Sequence, residues 1–465
     1  MARSDRSRDS DRVRAPQPAF KRRLPHGRGA TEQPNAVGDG DAELTPWFWL
    51  MVSLTGVGAG VGGIAMMYIL FHVQRLVYHY STGEFQTAVG LVSPTYRFVA
   101  LLIAGLIGGP AWYLLNRYTK GQKTEVDDVV WSGEGDLSYP KSIITSVIQE
   151  VVIGFGASLG REAAPKLLGA LSGTYFGKLA HLSPAQRRLL VACGAGAGLA
   201  AVYNVPLGGA LFTAEIMLGE ITLPVVLPAV ACSMIATEVA YLYLPNRATY
   251  LGIPNFQLNW SEVLWALIAG PIIGILVTGF VRLVGFLGHH RLKGKAVIYG
   301  PLLSFGLTGL IGMRYYQLFG NGKDMAHSVF RGSIESLSLL AALFILKPVV
   351  TALSLQSGAS GGLFTPLFSS GAVLGGLLGG IWNPIMSGGS IAAYAMLGAA
   401  AALAAGLQAP LSGLVLVLEL THSGLQIIVP LMIATLLATA VSRRLDGYSI
   451  YSARLPVNRS EEGTA

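Results

Sequence analysis

Two kinds of residue in this chain have the type and spacing to do chemistry. The first is Gly160-Arg161-Glu162, an arginine and a glutamate side by side between two strongly apolar stretches. Ionisable groups in such surroundings are costly to bury and usually serve a function. Burial and the neighbouring charges pull the protonation of Glu162 in opposite senses, so this carboxyl could exchange a proton near neutral pH. The second kind is proline following a polar or glycine-rich turn, at Pro165, Pro206, Pro366 and Pro410. Proline suits the first turn of a helix, where its missing N–H is not needed. Four helix starts follow, each with free N–H groups and about half a unit of positive charge at its tip. Such tips hold anions without a full cationic partner, weakly enough for release.

The elements carrying these residues recur. Gly194–Glu215 (GAGAGLAAVYNVPLGGALFTAE) matches Gly398–Glu419 (GAAAALAAGLQAPLSGLVLVLE) in register, 204 residues apart. Leu199 pairs with Leu403, Pro206 with Pro410, Gly209 with Gly413 and Glu215 with Glu419. Upstream, GASLGREAAP (Gly156–Pro165) matches GASGGLFTP (Gly358–Pro366) with one gap. Two matches in the same order exceed what shared glycine and alanine content explains. Duplicated membrane domains commonly seat their ligand where the halves meet, near the bilayer midplane.

Composition says which solvent these elements face. Of 465 residues 52% are hydrophobic and 12% charged, against roughly 25% charged in a soluble protein. With 59 glycines and a mean hydropathy of +0.53, too little polar sequence exists to cover a water-exposed surface. A soluble globular enzyme is excluded. Pro46–Phe71 and Phe98–Leu115 each reach the ~20 apolar residues that a ~30 Å hydrocarbon layer demands. Beyond residue 140 the apolar pieces shorten and are broken by Gly and Pro rather than by charged loops. Unpaired backbone is intolerable in lipid, so those breaks are buried in protein or line a polar cavity.

The net charge of +8 does not indicate nucleic acid. Its basic residues gather near the ends (Arg3 to Arg28; Arg443, Arg444, Arg454), which the positive-inside rule explains. Residues 1–44 read as a basic, disordered cytosolic tail, poor in groups that could bury apolar surface. The repeats are expected over 45–250 and 251–455, with a short tail at 456–465. Both termini are expected on the cytoplasmic side of a cell (inner) membrane, which requires an even number of crossings. Cys193 and Cys232 lie in apolar runs and read as buried fillers rather than a disulfide or zinc pair. The Gly56-to-Gly62 alternation lies inside an apolar span, so it is no dinucleotide loop. Gly371, Gly375 and Gly379 recur every fourth residue, which lets helices approach closely. Asp127-Asp128 has no companion ligands for a metal.

The segments GREAAPK, GGLFTP, NVPLGGALFTAE and the late IYSARL, in that order, resemble the chloride channel and transporter (CLC) family. The likeness covers about residues 46–455 and points to a bacterial, divergent branch with GREAAP in place of GREGP. It implies an all-α integral membrane protein, an inverted-repeat array of about 18 helices, many not fully spanning. It also implies a homodimer with an anion pathway in each subunit. By this resemblance Glu162 gates, its carboxylate competing with chloride and swinging away when protonated. Backbone amides of Arg161, Glu162 and Ala163 would form an outer anion site, and those of Leu363 and Phe364 a central one, with Thr365 nearer the outer. Tyr451 would donate its hydroxyl to the central anion, as a neutral phenol can. On the residues alone, Tyr451 reads as an interfacial aromatic.

Three departures bear on mechanism. The extra alanine in GREAAP shifts the helix start by one residue. The family's early Gly-Ser-Gly-Ile-Pro is missing, and its serine has Gln122, Lys123 or Thr124 as substitutes. The inner proton-carrying glutamate of the family's exchangers is here Ile216, which carries no proton; Glu150 and Glu215 are alternative carriers, although a structural carboxylate is the more common fate of each. The expectation is chloride transport, coupled to protons through Glu162, with chloride as ligand, lipid as solvent and no cofactor. A passive chloride channel is the nearest rival. A membrane-embedded enzyme would need a catalytic cluster of carboxylates or histidines, and the chain offers only isolated ones.

Overall fold

A computed structural model describes residues 43–454, apart from 123, 133–135, 255 and 423. The readings made for residues 1–42, for Lys123 and for 456–465 lie outside the described residues. Among the described residues the chain forms seventeen α-helices and no strand. The first set is α1 (Pro46–Tyr78), α2 (Phe85–Leu91), α3 (Pro94–Tyr118), α4 (Val126–Ser132), α5 (Tyr139–Gly154), α6 (Ala163–Leu179), α7 (Pro184–Tyr203), α8 (Pro206–Leu211) and α9 (Leu223–Ala240). A π-helical segment, Phe212–Leu218, continues α8. The second set is α10 (Trp260–His289), α11 (Ala296–Gly312), α12 (Lys323–Phe330), α13 (Leu337–Gln356), α14 (Phe364–Trp382), α15 (Ile391–Leu407), α16 (Pro410–Thr421) and α17 (Ile428–Leu445).

Local signals account for the starts. Pro46, Pro94 and Pro184 open helices whose preceding Thr45, Ser93 and Ser183 accept a backbone N–H with their side chains, which satisfies donors the helix itself leaves orphaned. Matching backbone also arises from different residues. Asn204 and Gln408 end α7 and α15 with φ of 57° and 60°, turning the chain sharply into Pro206 and Pro410. Seven helices among the described residues are long and apolar enough to cross a membrane. Others are shorter: α11 and α15, at 17 residues, extend about 25 Å. Length alone therefore does not fix the number of crossings.

Packing repeats as well. The pair α6 and α7 corresponds to α14 and α15, and α1 with α9 to α10 with α17. Across the halves α3 meets α11, and α8 meets α16. Helices α7 and α15 are surrounded by protein, and nearly every residue of α15 is buried. Their small residues let backbones touch, as van der Waals packing in lipid requires. A Cβ on Gly169 would strike the carbonyl of Gly194, and one on Gly371 the carbonyl of Gly398. These contacts anchor α6 and α14, the two helices whose first turns build the site. Cys193 and Cys232 are both buried and unpaired.

Candidate functional site

The loops that introduce α6 and α14 face each other. Gly160 and Gly362 form a two-residue antiparallel bridge, each N–H donating to the other's carbonyl at 2.8 Å. A Cβ on either glycine would collide with the Glu162 carboxylate. Glycine is therefore required twice, because the carboxylate occupies the space where side chains would stand. Glu162, the residue before α6, turns its side chain onto the start of α14. Its Oε1 accepts from the Phe364 N–H at 2.7 Å, and its Oε2 from the Thr365 hydroxyl at 3.0 Å. Tyr203, the last residue of α7, lies 2.6 Å by its hydroxyl from Thr365 Oγ1 and donates to Glu162 Oε2 at 3.4 Å. The Arg161 guanidinium sits over the Tyr203 ring, 4.9 Å from its centroid, a geometry worth about 2 kcal/mol where water is excluded. A wholly buried carboxylate is thus held by a helix N-terminus and two hydroxyls, that of Thr365 closely and that of Tyr203 at longer range.

A cavity of ≈ 60 Å³ opens beside this carboxylate, enough for several waters or an anion. Glu162, Ala163, Leu363, Tyr451 and Thr124 all line it. Sequence positions hundreds of residues apart are thereby brought to one space. Thr365 and the Phe364 amide stand behind the carboxylate rather than on the cavity wall. Of the three substitutes for the missing serine, Thr124 lies on that wall. Gln122 does not: it is exposed, and it accepts from Ser138 and Lys141 on the surface. Lys123 is outside the described residues. Ile216 is buried within the π-helical segment, and no atom of its side chain could hold a proton.

Reading the sequence missed several residues here. Lys166 projects from α6 one turn beyond Glu162, and its ammonium lies 4.4 Å from the Tyr451 ring centroid. Asp127 of α4 receives it at 3.0 Å, with Arg454 Nη2 at 3.9 Å from the same carboxylate. That pairing accounts for Asp127 as the partner of a buried cation. Arg291 donates to the carbonyls of Gly358 and Ala359 at 3.0 and 3.1 Å, bracing the loop before α14. The signal for Lys166 was its spacing: a residue four beyond Glu162 falls on the same helix face. Tyr203 gave no such signal, since its counterpart in the repeat is Leu407. Lys166, Arg291 and Arg454 line the cavity together with Glu125, Asp127 and Glu162 itself, three charges of each sign, so positive side chains outnumber negative ones there only when Glu162 is protonated.

The remaining helix starts are already filled. Glu419 accepts from the N–H groups of Leu207 and Gly208 at the tip of α8, at 3.0 and 2.6 Å. Reciprocally, Glu215 accepts from Leu411 and Ser412 at the tip of α16, at 3.2 and 2.6 Å, and from the Ser412 hydroxyl at 2.7 Å. The matched glutamates of the repeat cap each other's matched helices. Pro206 and Pro410 do mark helix starts, but the anions there are protein carboxylates.

A family model described as "Voltage gated chloride channel" matches residues 104–443. The ClC-type chloride channel ClcB of Citrobacter koseri is 29% identical over 417 residues, 86% of this chain and 97% of its own. A ClcB-like chloride channel protein of Ralstonia nicotianae is 33% identical over 345 residues, 71% of this chain and 78% of its own. The fold is also that of a slow cyanobacterial Cl−/H+ antiporter, with TM-score 0.75 at 23% identity over 88% of this chain and 97% of that one. A CLC-type fluoride/proton antiporter superposes with TM-score 0.70 at 23% identity, over 89% and 99% of the two chains. With a match over most of its length, and with GREAAP and GGLFTP meeting at one buried carboxylate, this chain belongs to the voltage gated chloride channel (CLC) family.

Proposed function

We propose that the protein exchanges chloride for protons across the membrane, with the Glu162 carboxylate as the group at which both ions act. The observation that carries this is the seat of that carboxylate, on the first N–H of α14 beside a cavity lined by Lys166 and Tyr451. A carboxylate and a chloride ion are both monovalent anions served by the same donors, so one excludes the other. Protonation cancels the charge that strengthens the bond from Phe364. The neutral side chain then releases the helix tip, and an anion takes its place. Loss of the proton restores the carboxylate and expels the anion. Thr124 and the Tyr451 hydroxyl serve the anion lower in the cavity, with Lys166 supplying the cationic field.

The protein works as a homodimer in the cell (inner) membrane, with both termini cytoplasmic, without a cofactor and without enzymatic chemistry. The likeness of the fold to a Cl−/H+ antiporter and to a fluoride/proton antiporter supports coupling. Ile216 favours a second reading, passive chloride conduction, because the position offers no inner proton carrier.

Chloride efflux from proteoliposomes with simultaneous recording of external pH decides between them. Exchange requires proton uptake to accompany efflux, and Glu162→Gln abolishes that uptake. Chloride efflux without any proton movement in the unaltered protein establishes the passive reading instead.

A further inference from the structure

Helix α5 carries a face of buried polar side chains that the rest of the protein leaves without partners. Among the described residues, no protein group hydrogen-bonds Ser142 Oγ, Ser146 Oγ, Gln149 Oε1 or either carboxylate oxygen of Glu150. Glu150 is 0% exposed. Residues 142, 146 and 150 recur every fourth position and so form one column, about 12 Å long, up the helix. Thr145 and Gln149 form the neighbouring column, and both line the cavity beside Glu162. The upper end of α5 leads through the Gly156–Gly160 loop to Arg161 and Glu162, the two charged groups whose fields reach Glu150. Arg161 Nε is likewise buried without a partner. Buried polar atoms that no protein group satisfies take water. A carboxylate flanked by serine hydroxyls and water is a proton carrier by its chemistry.

We infer that Glu150 is the inner proton relay of this protein, fed along the Ser142–Ser146 column of α5, so that protons reach Glu162 by a path separate from the anion's. This inference rests on the exchange reading above. Glu150 as carboxylate takes a proton from a hydronium in the column and releases water; the proton then passes, through water beside Arg161, to the Glu162 carboxylate, and Glu150 regains its charge. The path has a physical motive. The anion cavity is lined by Lys166, Arg291 and Arg454 along with Glu125 and Asp127, and Asp127 is taken up by Lys166, whereas the column on α5 holds two hydroxyls and a carboxylate with no cation among them. Ile216 leaves the relay to another group, and Glu215 is committed to capping α16.

The test is chloride efflux and proton uptake measured together in proteoliposomes for the unaltered protein, Glu150→Gln, Glu150→Asp and Ser146→Val. Glu150→Gln should lower proton flux about tenfold or more while chloride flux continues, and Glu150→Asp should restore most of the coupling. Ser146→Val, which interrupts the column without touching a carboxyl, should also slow protons selectively; it decides the matter if Glu150→Gln does not fold. If the unaltered protein is coupled and Glu150→Gln keeps the same proton-to-chloride ratio, the relay is overturned while exchange at Glu162 stands. Equal loss of both fluxes in a properly assembled Glu150→Gln makes the residue structural and also overturns it. If the unaltered protein moves no protons, the exchange reading fails and the relay falls with it.

Discussion

Helices α5 and α13 hold corresponding places before the two loops that meet at Glu162, and each buries one charge completely. On α13 the charge is Lys347, whose ammonium donates to Ser158 Oγ at 2.8 Å, to the Leu318 carbonyl at 3.1 Å and to that of Gly320 at 2.7 Å. All three of its protons are used. Ser158 in turn lies 3.2 Å from Thr351 Oγ1, and Ser354 donates to the Val350 carbonyl, so α13's polar groups are spent inside the protein. On α5 the charge is Glu150, and neither of its oxygens has a protein partner. A dry orphan group costs about 1–3 kcal/mol, more when charged. The corresponding helices of the duplicated plan thus carry, at different positions, a latch in one half and a water-dependent group in the other. Burial alone does not separate a structural charge from a working one. What separates them is whether its hydrogen-bonding capacity is exhausted.

The difference predicts unequal consequences. Lys347→Met should be the most damaging, lowering stability by about 3–5 kcal/mol, because it strands two carbonyls and a hydroxyl that the ammonium had satisfied. The apparent melting temperature in detergent, followed by tryptophan fluorescence, should fall sharply, with poor recovery of assembled protein. Next come the mutual caps. Glu215→Ala and Glu419→Ala should each cost about 1–2 kcal/mol, since each carboxylate holds two backbone N–H groups of the other half's helix, with Glu215→Ala the costlier because it also loses the Ser412 hydroxyl. A large functional loss in Glu215→Ala at unchanged stability would break the assignment of that residue as a cap. The smallest stability effect belongs to Glu150→Gln, within about 1 kcal/mol of the unaltered protein. Should Glu150→Gln destabilise the fold as much as Lys347→Met, the contrast between the two helices would collapse.

Part of the site could be read without coordinates, and the reasons are local. Gly160 to Glu162 was found because an Arg–Glu pair has no ordinary place in an apolar run. Helix starts at Pro165, Pro206, Pro366 and Pro410 were found because proline's fixed φ and absent N–H suit only a few positions. What each start would hold was not readable. All four looked alike as anion seats, yet α8 and α16 hold Glu419 and Glu215, and α14 holds Glu162. Lys166 and Asp127 were invisible as a pair, since 39 residues separate them. Tyr203 was missed because its repeat partner is a leucine, so symmetry pointed away from it.

The amino-acid order by itself determined the solvent, the helical class, the duplication and the presence of an Arg–Glu pair within an apolar run, because these follow from composition, period and identity along one segment. The tertiary structure decided which donors the carboxyl of that pair meets, which glutamates serve as caps, and which buried charge is left needing water. Those outcomes depend on where a second segment's N–H groups, hydroxyls and ammonium arrive in space. Gly160 and Gly362 show the division well: the glycines are plain in the sequence, but only their pairing across the two halves reveals that the space they leave open is occupied by Glu162.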